Sequence, residues 1–136
     1  HIIFNLSALA ALGPAVMERL GPLGLRSFAA FMALFLAAGL GGMAFWLALN
    51  PASTVPMLGA SGAIFGLLGF LMRQPDPQGV PVPLLSPQLG KAFVEWFKLH
   101  IPLVALFAIP LLLGGTTFGL AWESHLGGFF AGLLLC

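Results

Sequence analysis

From Leu25 to Leu49 the chain runs 25 residues with a single charge, Arg26, near its start. Coiled as a helix at 1.5 Å per residue, that run is long enough to cross the ~30 Å hydrocarbon core of a bilayer. The rest of the chain makes the same demand. Of its 136 residues, 60% are hydrophobic and 7% charged, whereas a soluble domain carries about 25% charged residues. A water-facing coat cannot be assembled from this composition, so lipid is the solvent. Open strands leave backbone groups unsatisfied in hydrocarbon, which makes an all-α polytopic helix bundle the expected fold class.

Five apolar segments divide the chain into spans of one membrane domain over residues 1–136. They run roughly from His1 to Leu20 (interrupted at Gly13-Pro14), Leu25 to Leu49, Ser61 to Met72, Ala92 to Leu113, and Phe118 to Cys136. The chain opens on His1 rather than Met, and the last apolar pattern is still running at Cys136. This reads as the core of a longer protein, truncated at both ends. A net charge of +1 points away from nucleic acid, and the one cysteine, Cys136, excludes an internal disulfide.

Threading the spans places Arg19, Arg26, Arg73, Lys91 and Lys98 on or near one side, which the positive-inside rule makes cytoplasmic. The Pro-rich stretch from Gln74 to Pro87 is then a cytoplasmic loop, and Asn50–Ala60 and Gly114–Gly119 face the other side. Glu18-Arg19 anchors the first cytoplasmic turn, and His100 beside Lys98 is interfacial or structural.

The third span is short, and that fixes a depth. Ser61 lies 12 residues before Arg73, about 18 Å along a helix, so it sits roughly 10 Å below the non-cytoplasmic face of a ~30 Å core. The Pro-broken Asn50–Pro56 stretch before it dips inward as irregular chain. His125, about seven residues into the last span, falls roughly 10 Å down as well. Asn5, 14 residues before Arg19, falls about 9 Å down, and His1 lies one turn higher on the same helix face. Four polar residues from three helices thus converge in the outer third of the bilayer.

Their chemistry is that of acyl transfer. Ser61 opens a helix, where a serine often serves as an N-cap, but where free amide N–H groups and the positive dipole end also suit an oxyanion. Gly59 and Gly62 remove side chains that would block a substrate backbone. A histidine inside an apolar span usually marks function or a buried partner, and a neutral His125 is able to take the Ser61 proton and return it to a leaving amine. The acid nearest that depth is Glu123, one turn nearer the surface and read as an interfacial charge. The expectation is a Ser–His dyad. His1 and Asn5 share an i, i+4 face whose donors serve either interhelical bonding or an oxyanion. Gly59, Gly62, Gly66 and Gly69 form one small-residue stripe and Gly128 and Gly132 a second, which let helix backbones approach closely. Phe65, one turn after Ser61, lies beside the imidazole or packs as ordinary core.

Together, His1-x-x-x-Asn5, Gly59-Ala60-Ser61-Gly62 followed by an apolar helix, and Ala121-x-x-x-His125-x-x-Gly128 followed by Gly132 resemble the rhomboid family of intramembrane serine proteases. The resemblance covers nearly the whole chain. It implies a six-helix core of which this chain supplies the second to sixth helices, without the first helix and the long loop after it. It implies Ser61 as nucleophile, His125 as base, and His1, Asn5 and the Ser61 backbone N–H as the oxyanion hole. It further implies an aromatic ring at Phe65 against the histidine, a gating helix from about Lys91 to Leu113, and a capping loop at Gly114–Gly119. Substrates are then transmembrane proteins whose helices unwind easily near the outer face; no cofactor and no metal are implied. The low charge and short loops suggest a bacterial inner membrane, with the site toward the non-cytoplasmic side. Two other functions compete with this one. A catalytically silent rhomboid-like protein that binds or escorts transmembrane clients usually lacks the serine or the histidine, and both are present. A channel or transporter fragment predicts a polar stripe through the membrane, whereas this polar cluster stops in the outer third.

Overall fold

The most apolar stretches become the longest helices. In the computed structural model, which describes residues 2–54, 59–98 and 121–136, α1 spans Ile2–Arg19, α2 Leu25–Leu49, α3 Ser61–Arg73 and α5 Trp122–Leu134. A further helix, α4, runs over 87–98 to the edge of the described residues. No strand occurs among the described residues. The bounds of α2 match the apolar run, and α3 is as short as its sequence requires. Helices α1 and α2 are each long and apolar enough to cross a membrane.

Two expectations are corrected. The interruption at Gly13-Pro14 does not occur: Pro14 lies inside an unbroken α1. Proline removes one N–H bond to the carbonyl four residues back, but Val16 is fully buried and Leu9, Leu12 and Leu20 pack on the same core, which holds the helix on both sides of the defect. The fourth helix begins at residue 87, not near Ala92. The reason is a local start signal: Ser86 Oγ accepts the Leu89 N–H at 3.2 Å and Pro87 occupies the first helical position, where its missing N–H costs nothing. In α5, Ala121 caps a helix that starts at Trp122 and closes at Leu134. The 118–120 stretch, His100, the fourth span beyond 98, the proposed loop at 114–119 and part of the inward dip, 55–58, lie outside the described residues.

The chain divides into two units, His1–Val82 with Ala121–Cys136, and Pro83–Leu120. The first holds α1, α2, α3 and α5. Among the described residues, large apolar side chains cluster around Val16, Leu34, Leu67 and Phe70, and Ile64, Phe129 and Leu133 are buried as well. Much of the remaining interior is glycine, alanine and serine, among them Gly62, Gly66, Gly128 and Gly132, Ala38 and Ala63, and Ser124, while Leu36, Leu40, Phe130 and Leu134 point outward. That inversion follows from the solvent. Lipid tails are as apolar as leucine, so there is no hydrophobic drive to bury large side chains, and close backbone packing holds the helices together instead. A Cβ built on Gly128 would fall on the Gly62 backbone, and one on Gly132 on the Gly66 backbone. The two small-residue stripes therefore meet. Helix α2 adds a third small face: Gly42 lies against the Ser124 carbonyl, Gly41 against Ala131, and Gly127 against Gly41 and Gly42.

The basic end of this unit is tied by arginine. At the end of α1, Arg19 donates to the carbonyls of Ala15, Gln74 and Pro75. At the end of α3, Arg73 donates to Leu133 O at 2.6 Å and Val82 O at 3.3 Å. Helix C-termini expose unpaired carbonyls and a negative dipole end, and each guanidinium satisfies carbonyls of a neighbouring segment while placing its charge there. This agrees with the one-sided distribution inferred for Arg19 and Arg73. Lys91 and Lys98 belong to the second unit, in which Lys98 pairs with Glu95 at 2.8 Å on an exposed helix surface.

Candidate active site

Ser61 is the first helical residue of α3, and Ala60 is the cap. The N-cap reading of Ser61 is thereby corrected. Ala60 has no side chain to cap with, so the first-turn N–H groups of α3 have no partner within the helix. The Ser61 hydroxyl is turned instead toward α5, where its Oγ lies 2.9 Å from His125 Nε2. Close packing of the Gly62 backbone on Gly128 brings these two elements near enough for that bond. Both Ser61 and His125 are half-buried.

Phe65 stands one turn further along α3. Its ring stacks on the His125 imidazole with centroids 4.5 Å apart and planes inclined by 10°. Of the two readings left open for Phe65, the one beside the imidazole is the one observed.

Gly59 adopts φ +120°, backbone that side chains of L-residues strongly disfavour. The point at which a Cβ on Gly59 would stand is 3.7 Å from Asn5 Nδ2 and 3.9 Å from Ser61 Oγ. Asn5, half-buried on α1, therefore points its amide at the space beside the hydroxyl, and the glycine leaves that space open. Of the residues singled out from sequence, Asn5, Gly59, Ser61, Gly62, Phe65, His125 and Gly128 come together here. Gly132 pairs with Gly66 one turn deeper. His1 lies outside the described residues.

Glu123 does not bond the imidazole. Its Oε1 accepts from Asn50 Nδ2 at 3.4 Å, so the serine–histidine pair has no acid hydrogen-bonded to it in this structure among the described residues. Sequence reasoning passed over Asn50, Ser124 and the Gly41-Gly42 pair. Ser124 is buried with its hydroxyl on Ala121 O at 2.9 Å. Its signal was present as a small polar residue one turn before Gly128, and the signal for α2 was two adjacent glycines in an otherwise bulky helix. No cluster of metal-binding side chains occurs among the described residues.

A family model described as the Rhomboid domain matches residues 1–136, the whole chain. The chain belongs to the rhomboid family. Neither the curated proteins nor the solved structures yield a match. Family and apolar helices together make this an integral membrane protein of rhomboid-like helical fold. Within that rhomboid framework the small-residue contacts of α2, α3 and α5 let the helix backbones that carry serine and histidine approach closely.

Proposed function

We propose that this rhomboid-family chain is an intramembrane serine endopeptidase that cuts transmembrane segments with a Ser61–His125 dyad. The observation that carries the reading is the 2.9 Å approach of Ser61 Oγ to His125 Nε2, which is hydrogen-bond reach for a nucleophile and its base. Ser61 Oγ attacks the scissile carbonyl carbon as its proton passes to Nε2, and the carbonyl π electrons move onto oxygen. The C–N bond then breaks, and His125 delivers the proton to the leaving amine. Water, deprotonated by His125, opens the resulting ester, releasing a carboxylate and restoring the serine.

The oxyanion needs donors. In this reading the Ser61 N–H at the start of α3 and the Asn5 amide, which lies beside Gly59, supply them, and His1 is the third donor, taken from the family resemblance. Preorganised donors of this kind are each worth about 10²–10³ in rate. Asn5→Ala is therefore expected to lower kcat roughly 10²-fold with little change in substrate binding. Steady-state cleavage of a reconstituted transmembrane substrate measures this, and an unchanged kcat removes Asn5 from the hole. The site faces the non-cytoplasmic side in this proposal, because Arg19 and Arg73 mark the opposite end of the bundle.

The test of the function is active-site labelling with a fluorophosphonate in detergent. Wild-type protein is expected to label, and His125→Ala is expected not to. Absence of labelling in folded wild type sinks the protease reading and leaves a client-binding rhomboid homologue.

A further inference from the structure

We propose that Asn50 and Glu123 form a polar clamp that positions His125, an inference that rests on the dyad reading above. Asn50 is the residue at which α2 ends. Its side-chain amide carries two protons and reaches two acceptors: the Trp46 carbonyl in the last turn of α2 at 3.1 Å and Glu123 Oε1 in the first turn of α5 at 3.4 Å. Glu123 precedes His125 by two residues. One amide thus ties the end of α2 to the start of the helix that bears the histidine.

The need for such a tie follows from the rest of the contact. The α2–α5 face is built mainly from small residues, Gly41, Gly42, Ser124, Gly127 and Ala131, with Phe45 as a large side chain against Gly127. Small residues let backbones approach, but they offer few knobs that resist sliding or rotation of one helix on the other. The serine–histidine bond tolerates little of either, since a separation beyond about 3.5 Å is no longer a hydrogen bond. A directional link at the end of α5 nearest the dyad fixes register where it matters. It also separates two electron-rich groups: the Trp46 carbonyl, at the negative end of the α2 dipole, and the Glu123 carboxylate. Asn50→Ala keeps the backbone N–H on the Trp46 carbonyl and leaves the Glu123 carboxylate without its amide donor.

A plainer role for Glu123 is a charge at a helix N-terminus, which favours α5 through its dipole. The two roles separate experimentally. Glutamine at 123 keeps an acceptor for Asn50 but loses the charge, and alanine loses both. Asn50→Ala leaves the charge and the α5 sequence untouched.

The experiment measures the fluorophosphonate labelling rate and the ring ¹⁵N signal of His125, assigned with His125→Ala, in the protein reconstituted in nanodiscs. Asn50→Ala and Glu123→Ala are each expected to slow labelling about 10-fold, the scale set by sub-ångström misplacement of a reacting group. The double variant is expected to slow it by about 10-fold in all relative to wild type and not about 100-fold, because residues that act through one contact are not additive. Glu123→Gln is expected to stay near the wild-type rate. The His125 ring signal is expected to shift toward its Ser61→Ala position in Asn50→Ala and Glu123→Ala. Additive losses, a Glu123→Gln rate as low as that of Glu123→Ala, or a His125 signal unmoved in Asn50→Ala each overturn the clamp. Because the ring signal needs no activity, the two readings fail separately. Wild type that does not label while its ring signal responds to Asn50→Ala loses the protease reading and keeps the clamp. Wild type that labels at a rate Asn50→Ala does not change keeps the protease and loses the clamp.

Discussion

Alanine at Ser61 is expected to abolish cleavage of a transmembrane substrate and all fluorophosphonate labelling, a loss of at least about 10⁴-fold, the scale seen when a nucleophile–base unit is dismantled. His125→Ala is expected to reach the same floor, and the double variant to fall no further, because the two groups carry out one proton-coupled step. The effect is chemical and not structural. Ser61 is half-buried and caps nothing, so its loss costs His125 one hydrogen-bond partner, about 1 kcal/mol of stability. A thermal melt within a few degrees of wild type, measured beside the rate, establishes this. His125 stacks on Phe65, so alanine there also leaves a hole. His125→Gln fills more of it and serves as the second variant. Cleavage retained by folded Ser61→Ala would end the proposal, and a double variant markedly slower than either single one would show that serine and histidine act separately.

Much of this site was legible because the constraint was one-dimensional. In a bilayer, residues per span convert to depth, and depth brought Asn5, Ser61 and His125 to one level before any contact was known. Helix existence was equally plain, since an apolar run such as Leu25–Leu49 has few alternatives in hydrocarbon. What sequence left open was lateral. Depth says nothing about which helix faces touch, so the placement of α2 against α5 through Gly41 and Gly42 was not foreseen, nor was the bond from Asn50 to Glu123 across 73 positions. Local chemistry was also misjudged where two rules competed. Pro14 reads as a break by its missing N–H, yet burial of Val16 and its neighbours overrides it. Ser61 reads as a cap by residue type, yet the helix takes Ala60 in that position and leaves the hydroxyl to His125. In both cases a tertiary contact outweighs a local preference of about 1 kcal/mol or a few.

Valine at Gly128 is expected to separate α3 from α5, and through that single displacement to unmake both fold and site. A Cβ at this position lands on the Gly62 carbonyl group and its Cα. These are backbone atoms of a packed helix, with no flexible side-chain end to move aside. The deeper pair behaves alike, Gly132 lying against the Gly66 backbone, so the strain cannot be relieved by tilting one helix about that point. Overpacking in a tolerant core costs about 1–3 kcal/mol. A contact with backbone on both sides belongs at or above the top of that range, so a loss of about 3 kcal/mol or more is expected for Gly128→Val, with Gly128→Ala intermediate. The dyad registers the displacement directly, because Gly62 follows Ser61 and Gly128 lies one turn after His125. A shift of about 1 Å is enough to cost roughly 10²-fold in rate. Labelling of whatever Gly128→Ala remains folded is therefore expected to slow by that factor, with Gly128→Val slower still. Gly90→Ala is the control. It places a methyl on α4 where nothing lies within 4 Å, and helix propensity alone makes it neutral or stabilising by up to about 1 kcal/mol. Thermal unfolding and labelling rates across the three variants decide the matter. Wild-type stability and labelling in Gly128→Val would mean that the glycine stripes of α3 and α5 do not meet backbone to backbone.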